Sequence, residues 1–179
     1  MSIFIKTVLR MLYIFLSVVG GGLLMIVIIL LIISPGKPKP ILNDKGERIE
    51  GSISEKTFIM VNGVRQGMFI RGNNKNNPVL LYVHGGPAFP NYFLIDKYKP
   101  GLEDLFTVCY WEQRGGGLSY SKEVTLESMN LEQLASDAIE VTKYLCKRFG
   151  KDRVYMMAHS GGTPLAIMAA VKAPQLYNA

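Results

Sequence analysis

Histidine and cysteine are both scarce in this chain, two of each among 179 residues. With only His84, His159, Cys109 and Cys146 to draw on, a zinc or iron–sulfur ligand set of ordinary Cys and His spacing is excluded. Cys109 falls in an apolar strand-like run and Cys146 on an expected helix. Both read as small buried residues in preference to a disulfide or a metal pair, so neither assigns a redox compartment. No phosphate loop ending in Gly-Lys-Ser or Gly-Lys-Thr occurs. Charge is also sparse: 19% of residues are charged, and the net +6 is scattered rather than gathered into a stripe. A solvated surface near anionic lipid accounts for it, and no nucleic-acid partner is expected.

Long apolar runs, by contrast, are present. Residues 11–33 carry no charge and are rich in Leu, Ile and Val, enough to cross a bilayer core of about 30 Å as a helix. A single-pass anchor in the cell membrane is the expected reading. The rival is a cleaved signal peptide, but the run is long for one and Ile33-Ser-Pro-Gly-Lys37 offers no clear small-x-small site. Lys6 and Arg10 precede the span, and Lys37, Lys39, Lys45 and Arg48 follow it, so the positive-inside count does not separate the two sides. The short basic tail favours the domain on the extracytoplasmic side. Gly20-Gly-Gly22 inside the span is either a close-packing point or an incidental one, and no function is assigned to it.

After the span the chain divides into an expected juxtamembrane linker over 34–56, with Pro35, Pro38 and Pro40, and a globular segment over 57–179. Thr57–Val61, Asn62-Gly63 and Val64–Arg71 read as a hairpin with an Asn-Gly turn. Pro78–Val83 and Phe106–Trp111 are short apolar runs typical of buried parallel strands. A helix is expected from Asn130, with Gln133 completing a capping-box-like start. Leu131, Leu134, Ala138, Val141, Leu145 and Phe149 recur at helical spacing, and Gly150 supplies the stop. Val154–Ala158 is the next expected strand and Gly161–Ala173 the next helix, with Pro164 in its first turn. Alternating strands and helices predict an α/β fold with a mostly parallel sheet and right-handed crossovers. With Val154–Met157 left at the rim of an incomplete sheet, the soluble part alone is expected to fold poorly or self-associate.

The most informative stretch is Val154-Tyr-Met-Met-Ala-His-Ser-Gly-Gly-Thr163. An apolar strand runs into Ala158-His-Ser-Gly-Gly162 and then into an Ala-rich helix, the setting of a nucleophile elbow carrying Ser160. Small residues flank such a Ser because its backbone is pinched into a strained turn. Ala158 stands where the motif usually has glycine. The bland alternative is an ordinary Ser in a strand-to-helix turn.

His84-Gly-Gly-Pro87, Tyr110-Trp-Glu-Gln-Arg-Gly-Gly-Gly-Leu-Ser-Tyr120 and the Ser160 elbow, in this order, resemble the N-terminal half of an α/β-hydrolase of the proline iminopeptidase-like group. The resemblance runs from about Thr57 to the end of the sequence. The chain departs from the family's usual HGGPG at Ala88, from DQRG at Glu112, and from Gly-x-Ser-Trp-Gly at Ala158 and Gly161. The resemblance implies a serine peptidase or esterase acting on a small peptide or ester without a cofactor, here behind the anchor read from residues 11–33.

By that resemblance Ser160 is the nucleophile, and the Gly161 amide with those of Gly85 and Gly86 forms the oxyanion hole. His84, Pro87, Gln113, Arg114 and Gly115 belong to supporting loops. The triad acid and His are expected after further strands, beyond Ala179. His159, adjacent to the elbow Ser, is expected to pack or to make an outer hydrogen bond rather than act as base. His84 is expected to anchor its loop, and Arg114 to fix its own loop by an ion pair or carbonyl contacts in preference to touching substrate. Two further readings stay open: a non-catalytic remnant, and a ligand- or partner-binding module that has the cleft without turnover.

Overall fold

The computed structural model describes residues 3–33, 36–86 and 89–178 of the chain, in two units, 1–37 and 38–179. The first unit is a single helix, α1 (Ile3–Ile33). An 18-residue window within its stretch Ile3–Ile32 has a mean hydropathy of 2.9, so this one helix is long and apolar enough to cross a membrane. At 1.5 Å per residue it is longer than the charge-free run alone, because Lys6 and Arg10 continue the helical turn.

In the second unit five strands form one mixed sheet in the order β1-β2-β4-β3-β5. β1 (Ile53–Val61) and β2 (Val64–Gly72) are an antiparallel hairpin. Asn62 (φ 45°) and Gly63 (φ 78°) both take positive φ at its turn, the twist-matched geometry that Asn-Gly favours. β2 pairs antiparallel with β4 (Thr107–Trp111); β4 and β5 (Tyr155–Ala158) each run parallel to β3 (Val79–Val83). The sheet is therefore parallel only across β4, β3 and β5.

Two segments differ from the sequence reading. β1 starts at Ile53, four residues before Thr57, because Ser54, Glu55 and Lys56 pair with Arg71, Ile70 and Phe69. Residues 38–52, expected as an extended linker, hold hydrogen-bonded turns, with Leu42 bridged to Arg48 and the Ile49 amide donating to the Ile41 carbonyl. The Lys39 carbonyl is taken by the Arg71 guanidinium (2.9 Å) and the Ser54 hydroxyl (2.6 Å), which explains why this stretch lies on the domain. Ser34, Pro35 and Ala179 lie outside the described residues.

The continuous apolar runs of β3 and β4 follow from burial on both faces. Val79, Leu81, Val83, Cys109 and Trp111 face one layer, with α4 (Leu131–Phe149) and α5 (Thr163–Lys172). Leu80, Tyr82, Val108 and Tyr110 face the other, where Tyr92 and Ile95 of α2 (Tyr92–Tyr98) and Leu102 of α3 (Leu102–Leu105) pack. Tyr92 stacks on Phe69 at 4.0 Å and leans on Tyr110 at 5.3 Å. Cys109 is a free, fully buried thiol whose pKa is pushed up by that burial, and Cys146 is free as well.

α4 begins as its cap residues require, with the Asn130 side chain accepting from the Gln133 amide at 2.9 Å. The reciprocal half of a capping box is missing, since the Gln133 side chain reaches Asp137 instead. Gly150 (φ 61°) ends the helix in the left-handed conformation. A 3-10 turn over Ser160–Gly162 precedes α5, whose first turn holds Pro164. At the rim, the Val154 amide donates to the Leu176 carbonyl and its carbonyl accepts from Asn178, so one point of the expected edge is paired.

Asp137 is fully buried and accepts from Arg114, Gln66, Asn62 and Gln133, ion-pairing Arg114 at 2.7 Å. Removing one member of such a pair strands the other charge in the interior. Asp137→Ala is expected to lower the stability of the chain by about 3–5 kcal/mol, read by denaturant unfolding in detergent; a loss under about 1 kcal/mol would contradict this role.

Candidate functional site

The order of the strands sets where the site forms. The chain leaves β3 toward α2 on one face and leaves β5 toward α5 on the other. Neighbouring strands whose connections depart to opposite faces leave a crevice at their C-terminal ends. The loops that open on this crevice are His84-Gly85-Gly86 after β3 and His159-Ser160-Gly161 after β5.

Ser160 is exposed and has φ 51°, a left-handed conformation that a serine rarely takes. It lies between β5 and α5, as an elbow requires. The His159 amide donates to the Val83 carbonyl (3.0 Å) and the Gly162 amide to the His159 carbonyl (3.0 Å), which holds the turn against β3. No hydrogen bond to the Ser160 side chain is found among the described residues, and neither histidine engages it.

The two loops meet at glycine distance. A Cβ on Gly85 would lie 2.9 Å from the Ser160 Cβ and 3.0 Å from the His159 carbonyl oxygen. One on Gly161 would overlap the Gly86 carbonyl oxygen, and one on Gly162 the carbonyl oxygens of His84 and Val83. Gly86 has φ 95°, open to glycine alone at ordinary cost. At Gly161, where the family pattern has Trp, the Gly86 carbonyl occupies the space that a side chain would take. The amides of Gly161, Gly85 and Gly86 donate to no partner among the described residues. Unengaged N–H groups of this kind are free to donate to an incoming acceptor.

The supporting residues come together as well. The buried His84 ring accepts the Gln113 amide at Nε2 (3.0 Å) and its Nδ1 lies 2.8 Å from the Gly85 carbonyl oxygen. Since Nε2 accepts, the proton sits on Nδ1 and donates to that carbonyl. The Gln113 side chain donates to the His84 carbonyl at 2.6 Å. Both ring nitrogens being engaged, His84 is a loop anchor with no free nitrogen for a base. Arg114 is buried in its ion pair with Asp137, and Gly115 takes φ 78° at the bend that follows. Pro87, the last supporting residue expected from the sequence, lies outside the described residues.

Glu112, nearly buried beside this loop, accepts the Leu118 amide; burial pushes its carboxyl above the usual range, partly offset by that hydrogen bond. Asp137 and Gln66 were not singled out from the sequence. A signal for Asp137 exists: it is a lone acid beside Leu134, Ala138 and Val141 on the apolar stripe of α4. Gln66 in β2 offered none; its side chain donates to Asp137 (2.7 Å) and accepts from the Trp111 indole (2.8 Å).

Burial holds the His84 imidazole below its ordinary 6.5, opposed by the hydrogen bond to Gly85. Above that value both folded and unfolded chains carry it neutral. As pH falls below it, the unfolded chain takes the proton first, so stability is lost toward the lower folded value. Between pH 7.5 and 5, His84→Gln is expected to show a shallower decline of Tm than the unaltered chain; equal slopes would contradict the buried neutral ring.

No family model matches the chain. It is 37% identical over 126 residues to the probable aminopeptidase YbaC of Bacillus subtilis (strain 168), a match covering 70% of this chain and 40% of that protein. The proline iminopeptidase-related protein TTHA1809 of Thermus thermophilus superposes with a TM-score of 0.59 at 26% identity, over 69% of this chain and 42% of its own. An epoxide hydrolase of Vigna radiata superposes with a TM-score of 0.58 at 23% identity, over 70% and 37%, and speaks to the fold alone. The chain thus spans about two fifths of the length of the relatives it matches. Its mixed sheet, flanking helices and crevice between β3 and β5 are those of the α/β-hydrolase fold.

Proposed function

We propose that this chain is the nucleophile-bearing part of a membrane-anchored serine hydrolase, of peptidase or esterase type, in which Ser160 attacks an acyl carbon. The observation that carries the reading is the pairing of an exposed Ser160 at φ 51° with the unengaged amides of Gly161, Gly85 and Gly86. Attack turns a planar carbonyl into a tetrahedral oxyanion. N–H donors fixed in advance stabilise that charge without reorganising, and losing one costs about 10²–10³ in rate. The similarity to a probable aminopeptidase and to a proline iminopeptidase-related protein favours a peptide over an ester as substrate.

The nucleophile needs a base. His84 is committed at both nitrogens and no hydrogen bond joins His159 to the Ser160 side chain among the described residues, so the base and its acidic partner are proposed to lie in the part of the relatives' length that this chain does not span. The boundaries proposed are an anchor at 11–33 and a hydrolase segment that takes in β1 from Ile53, with the domain on the extracytoplasmic side. Protease added to intact cells should then remove the domain, whereas protection would reverse the orientation.

A second reading, binding without turnover, is favoured by one observation: among the described residues neither histidine hydrogen-bonds the Ser160 side chain. Kinetics separate the two. The natural protein purified from its own membranes is expected to hydrolyse aminoacyl p-nitroanilides or p-nitrophenyl esters. Ser160→Ala should abolish this, by a factor on the order of 10⁶. The 179-residue chain alone should turn over negligibly. Undiminished turnover in Ser160→Ala would remove Ser160 as nucleophile; robust Ser160-dependent turnover by the 179-residue chain would place the base within it.

A further inference from the structure

We infer that Asp137, acting through Arg114 and Gln113, is a positioning residue that fixes the His84-Gly85-Gly86 loop against the Ser160 turn. The inference rests on the reading of that loop as the oxyanion-binding element, and adds to it a device that sets the loop's place.

Five donor contacts converge on the Asp137 carboxylate. Arg114 Nε reaches Oδ2 at 2.7 Å and Nη2 reaches Oδ1 at 2.9 Å, a bidentate fork. Gln66 Nε2 reaches Oδ2 at 2.7 Å; Asn62 Nδ2 and Gln133 Nε2 reach Oδ1 at 2.7 and 2.9 Å. The donors belong to separate parts of the fold: the hairpin turn, β2, the loop after β4 and α4 itself. A buried ion pair of this kind is weak evidence for stability, since well-packed apolar residues of similar volume often do as well or better. What it supplies is a fixed place for a planar guanidinium, and with it the backbone of residue 114.

Residue 113 is next in the chain, and it grips His84 twice, by its amide on Nε2 (3.0 Å) and by its side chain on the His84 carbonyl (2.6 Å). His84 in turn fixes the peptide that follows, through Nδ1–H and the Gly85 carbonyl (2.8 Å). Gly85 abuts Ser160, and the His84 carbonyl abuts Gly162, both at separations that leave no room for a Cβ. A shift at Arg114 therefore reaches the glycine amides through one covalent neighbour and one doubly held ring. The carboxylate itself, fully buried, does not line the crevice.

The chain has only two histidines, so selective ¹⁵N labelling of histidine in the full chain, held in nanodiscs, gives one site signal and one reference, assigned with His159→Gln. The unaltered chain should show His84 as a single Nδ1–H tautomer. Arg114→Lys keeps the charge but loses the fork. Asp137→Asn keeps the size and loses the charge, so either variant serves if the other fails to fold. A folded variant is expected to show a mixed His84 tautomer, with the His159 signal unchanged. A His84 signal like that of the unaltered chain in a folded variant would overturn the inference. So would an equal change at His159, which would mark general loosening. Hydrolysis plays no part in this readout, so failure of the Ser160 reading and failure of the positioning role are told apart.

Discussion

Everything at the candidate site depends on one steric constraint: the loops after β3 and β5 approach closer than any side chain allows. Gly85, Gly161 and Gly162 each face backbone or Ser160 atoms where a Cβ would have to go. That closeness brings two loops, distant in sequence, together beside Ser160. It also confines Ser160 to a left-handed conformation, a local strain of order 1–3 kcal/mol that the surrounding sheet must over-determine. β3 supplies the over-determination, through its parallel register with β5 and the Val83 carbonyl that accepts from His159.

Polar groups behind the crevice complete the restraint. Close packing alone would let a glycine-rich loop slide, because glycine resists few conformations. The loop is instead tied at its root by a histidine whose ring has both nitrogens occupied, and Gln113 beside it directly precedes the buried Arg114. The interior of the sheet and the His84-Gly85-Gly86 loop are thus linked through short contacts, with α4 contributing Asp137. The geometry of the loop is a property of the core as much as of the loop itself.

Much of this was legible in the sequence, and the reasons differ by element. The Asn62-Gly63 turn, the Asn130 and Gly150 ends of α4, and the apolar runs of β3 and β4 are local signals, each decided by residues within a few positions. The Ser160 elbow was legible because strand, small residues and helix start are contiguous. What escaped is non-local. β1 begins at Ile53 because its polar Ser54, Glu55 and Lys56 find partners in β2, which no periodicity reveals. The turns over 38–52 depend on Arg71, a residue far along the chain from Lys39, capturing its carbonyl. Asp137 was visible as an acid on an apolar stripe, but its meaning needed Arg114, Gln66 and Asn62 in place around it.

A Ser160 held in a preformed acyl-attack geometry should react with an acyl-transfer mimic wherever the whole site is assembled. The most direct measurement is treatment of the natural protein, in its own membranes, with a fluorophosphonate, followed by mass mapping of the peptides. We expect a covalent adduct on Ser160, in the peptide that spans Val154 to Lys172, and its loss in Ser160→Ala. An unmodified Ser160 peptide, recovered from membranes in which other serine hydrolases are fully labelled, would contradict that geometry.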